Sequence, residues 1–341
     1  VTAEFLAARY RVIRNRGNLN NHIGLPLSLI ELRQRPEIAV VELGMNHAGE
    51  ISTLVRIAEP DVRVWTNVGE AHLGFFGSVD DIADAKAEIL EEATSSTILV
   101  ANADDGRIAA RTSLFAGRVV TFGIERAADV RASAVVDRGI EGTTARVSTP
   151  SGSFEVTTPL VGRGNLSNVL AATAVAIQFE VPLDAIAERA TRLQPAAHRG
   201  QVVRLPGVTV IDDSYNANPA ATRAALDVLA GEPGAWRRIA VLGEMLELGD
   251  HAVPLHEDVG RAAVAARVDI LVTVGGDAAA ALARSAVDAG MQAGAVRHCL
   301  TSGEAADAVA ALVRPGDVVL VKGSRGVRTD LVVDRLKAER A

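Results

Sequence analysis

The sequence is short of cysteine and of long apolar runs, and both shortages narrow the class of protein. Cys299 is the single cysteine among 341 residues, so no disulfide can form within the chain, and a reducing compartment is the simpler prediction. No uninterrupted apolar run approaches the roughly 18 residues that a membrane-spanning helix needs. These two features predict a cytoplasmic protein that does not span a membrane.

Positive charge is also scarce, and lysine is the scarcest basic residue. The chain carries 42 acidic and 35 basic residues, for a net charge of −7. This balance argues against a surface that tracks nucleic-acid phosphates, although it leaves room for a local anion pocket. Lys86, Lys322 and Lys337 are the three lysines, and the other 32 basic residues are arginines. Where the chain uses lysine, a specific need for that side chain is therefore a reasonable hypothesis.

What the sequence does contain is a repeated alternation of apolar runs and helical segments. With 341 residues, of which 48% are hydrophobic, the chain is long enough for two domains with separate cores. In the first domain, predicted as residues 1–195, runs that are apolar on both faces predict parallel strands in a covered sheet. These runs are 37–43, 62–68, 96–102 and 118–123. A helix is predicted at 1–10, an antiparallel meander at 130–160, and two more helices at 165–179 and 182–192.

A second alternating series follows a predicted linker at 193–201. It predicts a second doubly wound α/β domain, residues 196–341, whose strands are 208–213, 238–244, 269–276, 296–300 and 317–323. In such folds the functional loops lie at the carboxyl ends of the parallel strands. The predicted fold class is therefore α/β: a mostly parallel sheet with a small antiparallel meander, followed by a Rossmann-like domain.

Lys86 interrupts an apolar stripe in the helical segment DDIADAKAEILEEA, residues 80–93. At helical spacing, the apolar positions of this stripe are Val79, Ile82, Ala83, Ile89, Leu90 and Ala93. An ammonium group there needs a paired carboxylate or a strongly lowered pKa. A neutral amine can also add carbon dioxide and, as a carbamate, supply an oxygen ligand for a hard metal such as Mg²⁺. The alternative is a snorkelling side chain beside Glu88 or Asp84, and helical spacing alone favours that alternative.

Other polar groups come at the predicted strand ends of the first domain. Glu42 follows four apolar residues, and an ionised carboxylate in such a place needs a cation or hydrogen-bond donors. The residues alone leave a metal ligand and an acceptor of backbone amides equally open. Asn67, Glu70 and His72 lie in a glycine-spaced loop after a later strand, and His72 by itself is more typical of a hydrogen-bonded loop histidine than of a ligand. These strand-end groups and Lys86 could meet around one cation.

Two strand ends of the second domain also carry polar clusters. In VTVIDDSYNANP, the Asn-Pro pair is explained as a helix cap, whereas the paired aspartates Asp212 and Asp213, with Tyr215 and Asn216, predict a ribose or amine contact. Lys322, Ser324 and Arg325 lie in VVLVKGSRGVRTD, where a strand ends just before a helix, and the two cations with the backbone amides predict an anion cradle. The segment GRGNLSN lacks the third glycine of a dinucleotide loop, so a Rossmann-type cofactor site is not predicted there.

Eight segments occur in an order that is typical of one enzyme family. They are GNLNNHIGLP, VELGMNHAGEI, TNVGEAHLGFFGS, AKAEIL, GRGNLSN, AHRGQ, IDDSYNANP and LVKGSRG. Together they resemble the Mur ligases, and IDDSYNANP and LVKGSRG resemble the branch that adds a dipeptide. The resemblance covers nearly the whole chain, and its specificity rests on the order of the eight segments, because no single one would suffice.

The resemblance implies ATP-dependent amide formation in peptidoglycan synthesis. In that reaction ATP phosphorylates the terminal carboxylate of a UDP-N-acetylmuramoyl-tripeptide, and the amine of D-alanyl-D-alanine displaces phosphate from the acyl phosphate. The resemblance also implies a central ATPase-type domain ahead of a Rossmann-like ligase domain. ATP and Mg²⁺ are the cofactors that it implies, and we expect a monomer.

The resemblance further implies roles for individual residues. Glu42 and His72 resemble residues of the family's Mg²⁺ site, and Lys86 resembles its carbamylated lysine. For the nucleotide, the resemblance implies that Asn168 contacts the adenine, Arg199 the phosphates and Asp213 the ribose. The substrate contacts that it implies are Asn18, Asn20 and Asn21 near the nucleotide-sugar, Tyr215 and Asn216, and Lys322 and Ser324 at the carboxylate of the incoming dipeptide.

The sequence departs from the family pattern in one respect. Family members carry an N-terminal domain for the UDP-sugar and a phosphate loop of the form G-x-x-G-K-[ST], and neither is found in these residues. Without the amides and the lysine of that loop, the β- and γ-phosphates lose their cradle. We therefore expect a fragment with negligible activity from a gene whose full product is the ligase. The alternatives are a sister ligase that adds diaminopimelate or lysine, a folylpolyglutamate synthase, or a non-catalytic nucleotide-binding remnant.

Overall fold

The computed structural model of the chain describes residues 1–15, 17–71, 73–113 and 115–340. In this part of the chain, two six-stranded sheets and one two-stranded sheet carry the fold. Most neighbouring strands of the two large sheets run parallel, and helices pack on the sheet faces. The predicted α/β class is therefore confirmed.

The N-terminal half, residues 1–195, contains the first large sheet. Its elements are α1 (Thr2–Leu6), β1 (Val12–Arg14), α2 (Gly24–Leu29), β2 (Ile38–Val40), α3 (Glu50–Ala58), β3 (Val62–Trp65), α4 (Val79–Ala87), β4 (Ile98–Asn102), α5 (Gly106–Thr112), β5 (Arg118–Gly123), β6 (Val130–Asp137), β7 (Thr143–Thr149), β8 (Gly152–Thr158), α6 (Arg163–Gln178) and α7 (Leu183–Ala190). The strand order is β3-β4-β5-β6-β7-β8, in which β3 to β6 are parallel and β6 to β8 form the predicted antiparallel meander.

Burial explains why the two kinds of strand differ in sequence. The residues Leu99, Val100 and Ala101 of β4 are all buried, because α6 and other elements cover the parallel part of the sheet. In β7, by contrast, burial alternates along the strand, and Ala145 and Val147 point to the core. The continuous apolar runs therefore mark strands covered on both faces, whereas the period-two stretch marks strands with one face in water.

The predicted parallel strand at 37–43 is present, but it is shorter than predicted and belongs to a different sheet. The structure has β2 over Ile38–Val40, and this strand pairs with β1 in a separate parallel sheet instead of joining the six-stranded sheet. Beyond β2, the backbone is held by a loop that contains Asn15, Asn18, Asn20 and Asn21, which we call the asparagine loop. The Gly44 N–H donates to the Asn20 carbonyl of this loop at 2.8 Å. Glu42 therefore lies two residues beyond a short strand, and its side chain is exposed.

The C-terminal half, residues 196–341, contains the second large sheet. Its elements are β9 (Gln201–Leu205), β10 (Val208–Asp213), α8 (Pro219–Ala230), β11 (Arg238–Gly243), α9 (Ala252–Ala265), β12 (Ile270–Val274), α10 (Asp277–Asp288), β13 (Val296–Cys299), α11 (Ser302–Leu312), β14 (Asp317–Lys322) and α12 (Asp330–Arg340). The order is β13-β12-β11-β14-β10-β9, and β9 alone runs antiparallel to its neighbour. All five predicted strands are present, while β9, at the end of the predicted linker, was missed.

The strand register of the second sheet places two predicted site residues side by side. In the β10–β14 pair, Asp213 is the partner of Lys322, at the carboxyl ends of both strands. The two halves of the molecule share an apolar cluster that joins Leu54 and Ile82 to Leu226 and Leu248. Within the described ranges, no helix is long and apolar enough to cross a membrane.

Candidate active site

Lys86 lies in the last turn of α4, and its surroundings differ from the predicted stripe. The α-helix ends at Ala87 and continues as a 3-10 turn, so the apolar positions beyond Lys86 do not extend one α-helical face. The side chain is half-buried, and among the described residues it makes no hydrogen bond and no ion pair. The carboxylates named as snorkelling partners are engaged elsewhere: Asp84 pairs with Arg111 at 2.6 Å, and Glu88 accepts backbone N–H groups of α3.

Burial lowers the pKa of Lys86, and the charges of Asp105 and Glu42 oppose this shift. Asp105 is held rigidly, because one carboxylate oxygen accepts the Val68 N–H at 2.7 Å and the other caps the N-terminus of α5. The neutral amine of Lys86 is therefore favoured relative to an exposed lysine. A neutral amine is the form that can add carbon dioxide.

Glu42 is held from its backbone and from its side chain by the asparagine loop. Its N–H donates to Asn15 Oδ1 at 3.2 Å, and one carboxylate oxygen accepts Asn20 Nδ2 at 2.9 Å. Gly44 permits this contact, because a Cβ at that position would lie 2.6 Å from Asn20 Nδ2. The remaining carboxylate oxygen of Glu42 faces an exposed surface, so a ligand can reach it.

The other asparagines of this loop have different surroundings. Asn21 is a local cap, since its Oδ1 accepts the N–H groups of Ile23 and Gly24 at 3.1 and 2.8 Å at the start of α2. Asn18 is exposed, and its carbonyl accepts the Asn20 N–H at 2.8 Å. The substrate roles that the resemblance implies for Asn18, Asn20 and Asn21 stay predictions.

The predicted metal ligand His72 lies outside the described residues. Among the residues that are described, no three His, Cys, Asp or Glu side chains are grouped closely enough to hold a metal ion. Within the described ranges, the donors left for a ligand include the second carboxylate oxygen of Glu42 and the Lys86 amine, for which these ranges show no hydrogen bond. A carboxylate and a lysine carbamate both present hard oxygen atoms, which are the ligands that Mg²⁺ prefers, so these residues fit the ion.

In the C-terminal half, the buried Lys322 forms an ion pair with Asp213, whose side chain is 23% exposed. Lys322 Nζ lies 2.6 Å from Asp213 Oδ2 and 3.0 Å from the Asn216 carbonyl oxygen, and the Lys322 side chain is 3% exposed. Burial raises the pKa of Asp213, although the charges of Lys322 and Arg199 lower it in part. The lysine charge is thus already compensated inside the protein, and the predicted role of Lys322 in dipeptide binding stays a prediction.

A cationic and aromatic cluster lies next to this pair. The Arg199 guanidinium carbon is 4.1 Å from the centre of the Tyr215 ring, and that of Arg325 is 5.8 Å from it. Both arginines are exposed, and Asn168, the predicted adenine contact, is exposed on α6. Exposed guanidinium groups beside a carboxylate are groups that can bind phosphate and a ribose hydroxyl.

His198 fixes the position of Arg199. Its Nδ1 lies 2.8 Å from Asp212 Oδ2, and its carbonyl accepts the Tyr215 N–H at 3.0 Å. Ser214 donates to Asp212 at 2.6 Å, and its Oγ lies 3.4 Å from the same His198 Nδ1. Because Asp212 and Ser214 are buried, this trio resembles a structural clamp more than a hydrolytic triad. Residues 196–200 are thereby tied to the end of β10.

Ser324 also has internal partners. Its Oγ accepts the Leu246 N–H at 2.9 Å and lies 3.4 Å from the Ala217 carbonyl, and its side chain is buried. Asn216, in contrast, is exposed, and its carbonyl holds Lys322. The structure thus leaves Asn216 open to solvent and places Ser324 in the framework.

Two features of the site were missed by sequence reasoning. Asp105 follows β4, so the same rule of polar groups after parallel strands that selected Glu42 could have found it. Arg223 of α8 pairs with Glu70 at 3.1 Å and so joins the two halves of the chain. No sequence signal marks Arg223, because its partner lies 153 residues away.

The two large sheets and the polar groups at their strand ends define a two-part α/β protein, and comparison with protein families identifies its class. A family model described as the Mur ligase middle domain matches residues 1–176, and one described as the glutamate ligase domain of Mur ligases matches residues 198–325. The chain therefore belongs to the Mur ligase family, whose members are ATP-dependent amide ligases.

Within this family, the chain is similar to UDP-N-acetylmuramoyl-tripeptide–D-alanyl-D-alanine ligases. It is 38% identical to that of Mycobacterium tuberculosis H37Rv over 355 residues, which cover 99% of this chain and 70% of the relative. It is 34% identical to the ligase of Escherichia coli K12 over 341 residues, which cover 99% of this chain and 73% of that relative.

Two solved structures agree with these relatives. MurF from Acinetobacter baumannii superposes with a TM-score of 0.87 at 32% identity and covers 98% of this chain and 74% of that one. MurF ligase from Thermotoga maritima in complex with ADP superposes with a TM-score of 0.86 at 28% identity and covers 99% and 77%.

Proposed function

We propose that this chain belongs to a ligase that joins D-alanyl-D-alanine to a UDP-N-acetylmuramoyl-tripeptide with ATP, through an acyl phosphate, in the cytoplasmic stage of peptidoglycan synthesis. The observation that carries the proposal is the similarity to D-alanyl-D-alanine ligases of this kind over 97–99% of the chain. We further propose residues 1–195 as the central ATP-binding domain and residues 196–341 as the ligase domain.

In the N-terminal half, Glu42, Lys86 and His72 would hold Mg²⁺. Bound there, the ion would neutralise phosphate oxygens during transfer. Lys86 supports this role because it is half-buried, lacks a partner among the described residues and has a lowered pKa. Asn20 Nδ2 donates to one oxygen of the Glu42 carboxylate at 2.9 Å and so helps to orient it.

In the C-terminal half, exposed cations would bind the nucleotide. Arg199 would contact the phosphates, Asp213 the ribose, and Asn168 the adenine from the other half. The Tyr215 ring packs against the Arg199 guanidinium. The clamp of His198 and Asp212 keeps Arg199 at the end of β10. The exposed Asn216 would then contact the incoming dipeptide. Lys322 would contribute its positive charge to the dipeptide carboxylate while it stays paired with Asp213.

These 341 residues contain no G-K-[ST] phosphate loop, and we propose that they turn over poorly by themselves. The test measures ADP release with tripeptide nucleotide and D-alanyl-D-alanine for this chain and for an N-terminally extended chain. We expect dipeptide-dependent ADP release from the extended chain and little from the short one. Full turnover by the short chain would contradict the inactive-fragment proposal, and no dipeptide dependence in either would contradict the ligase.

A sister ligase is the second candidate, because all Mur-type ligases use the same phosphate chemistry. The amine that stimulates ADP release separates the candidates. D-alanyl-D-alanine should stimulate it, while diaminopimelate, lysine and glutamate should not. Stimulation by one of these amino acids in place of the dipeptide would move the chain to that branch.

A further inference from the structure

The loop at 244–248, which follows β11, connects the two halves of the candidate site. In the second sheet, its Leu246 N–H donates to Ser324 Oγ at 2.9 Å, beside Lys322. Toward the N-terminal half, its Glu247 carbonyl accepts the Gly74 N–H at 2.7 Å. We call residues 244–248 the connector loop.

The contact of the connector loop with Gly74 leaves no room for a side chain. A Cβ on Gly74 would lie 3.0 Å from the Glu247 carbonyl oxygen of the connector loop and 2.9 Å from the nitrogen of Gly249, the residue that follows the loop. Gly74 belongs to a 3-10 turn, Leu73–Phe75, within the same loop that carries Glu70. A side chain at Gly74 would therefore force the connector loop or this turn to move.

A buried histidine holds the connector loop. His256, on α9, is fully buried, and its Nε2 lies 2.9 Å from the Met245 backbone nitrogen. Its Nδ1 lies 2.7 Å from the Ala252 carbonyl oxygen. An amide N–H can only donate and a carbonyl can only accept, so Nδ1 carries the proton and Nε2 is the acceptor. The ring performs both tasks only while it is neutral.

The surroundings of His256 keep the ring neutral. Burial lowers its pKa from the ordinary histidine value, whereas the nearby Glu244 carboxylate and the Ala252 carbonyl act in the opposite direction and only in part. Protonation would place an N–H donor on Nε2 against the Met245 N–H. Two donors facing each other in a buried place repel, so the connector loop would lose this anchor.

We propose that His256 is a positioning residue, which holds the Met245 amide so that the connector loop meets Gly74 on one side and Ser324 on the other. The hydrogen bonds of His256 go to Met245 and Ala252, and not to the predicted nucleotide-binding residues Asn168, Arg199 and Asp213. His256 therefore acts through the connector loop. Its consequence for turnover rests on the proposed ligase function, whereas its effect on the connector loop does not.

The test compares two variants of this chain by amide hydrogen exchange. His256→Phe keeps a planar ring and removes the acceptor, while His256→Gln keeps an acceptor near the place of Nε2. In His256→Phe, we expect the protection factors of the Met245 and Gly74 amides to fall about tenfold or more, because a buried N–H has lost its partner. His256→Gln should retain most of that protection. The Val241 amide of β11 should stay protected in both.

Three outcomes would overturn the proposal. They are unchanged protection of Gly74 in His256→Phe, equal loss in both variants, and loss that extends to Val241, which would indicate a purely structural ring.

Acidification gives an independent readout: protection at Met245 should fall in the wild type as the ring is protonated and should not fall further in His256→Phe. In the extended chain, His256→Phe should also lower the kcat of ADP release more than His256→Gln does. If the extended wild type has no ligase activity, the proposed function fails while the exchange result still decides the role of His256.

Discussion

Lys86 and Lys322 mark the candidate sites of the two halves, and their surroundings differ. Lys322 is buried with two partners, Asp213 and the Asn216 carbonyl, whereas Lys86 is half-buried with no partner among the described residues. A compensated lysine stabilises the framework, while an uncompensated one with a lowered pKa is available for chemistry. The comparison teaches that a rare residue type can serve opposite purposes in one chain.

Removal of Lys322 should cause the largest change in stability. Lys322→Ala leaves the partly exposed Asp213 without its ion-pair partner, so we expect the free energy of unfolding to fall by about 3 kcal/mol, the lower end for a broken buried pair. Urea denaturation of the wild type and of Lys322→Ala measures this difference in the free energy of unfolding. The loss should shrink on acidification, because burial raises the pKa of Asp213 and protonation then removes the unpaired charge. Lys337→Ala, in the last turn of α12, is the matched control, and equal effects of the two variants would contradict the contrast.

Removal of Lys86 should act on turnover instead. In the extended chain, Lys86→Ala should lower ADP release about 100-fold or more, because a group that holds charge at the reacting phosphates is lost. The free energy of unfolding should hardly change, since no hydrogen bond among the described residues is broken. A small added carboxylate should restore part of the turnover. Absence of rescue would argue against the carbamate, and unchanged turnover would argue against any role of Lys86.

The lowered pKa of Lys86 should appear in the alkaline stability profile. Above the folded pKa and below the ordinary lysine value of about 10.4, the unfolded chain binds a proton that the folded chain has released. The free energy of unfolding should therefore rise with pH in this window, by at most about 1.4 kcal/mol per pH unit. Urea denaturation in carbon-dioxide-free buffer should show that Lys86→Met removes this rise and Lys337→Met keeps it. The same slope in both variants would show that Lys86 titrates as an exposed lysine.

The ion pair between the halves should contribute least. Glu70 and Arg223 are partly exposed, so a double-mutant cycle of Glu70→Gln and Arg223→Gln should give a coupling of about 0.2–1 kcal/mol. The coupling should weaken at high salt. A value above about 2 kcal/mol would show a desolvated pair and would make this contact, rather than the Gly74 contact, the main link between the halves.

Much of the fold followed from patterns that are local in sequence. The runs around Val100 and Val241 predicted covered parallel strands, and the period-two stretch predicted the meander that contains Val147. The strand within 37–43 joined a separate sheet, which the sequence did not predict, because an apolar run does not indicate which neighbour it pairs with. Strand β9 was missed because its residues followed a segment that was interpreted as a linker.

The candidate site divides in the same way. Sequence patterns selected Glu42, Lys86, Asp213 and Lys322, because each ends or follows a strand or breaks a helical stripe. The partners of these residues could not be read from local patterns, since Asp213 and Lys322 are 109 positions apart and meet only through the β10–β14 register.

By itself, the sequence determined the alternation of strands and helices, the scarcity of lysine and the ordered segments that resemble the family. Only the tertiary structure decided which lysine is paired, that the neutral ring of His256 accepts a loop amide, and that Gly74 meets the connector loop. The reason is physical: periodicity and composition are properties of neighbouring residues, whereas desolvation and hydrogen-bond geometry depend on groups that the fold brings together from distant positions.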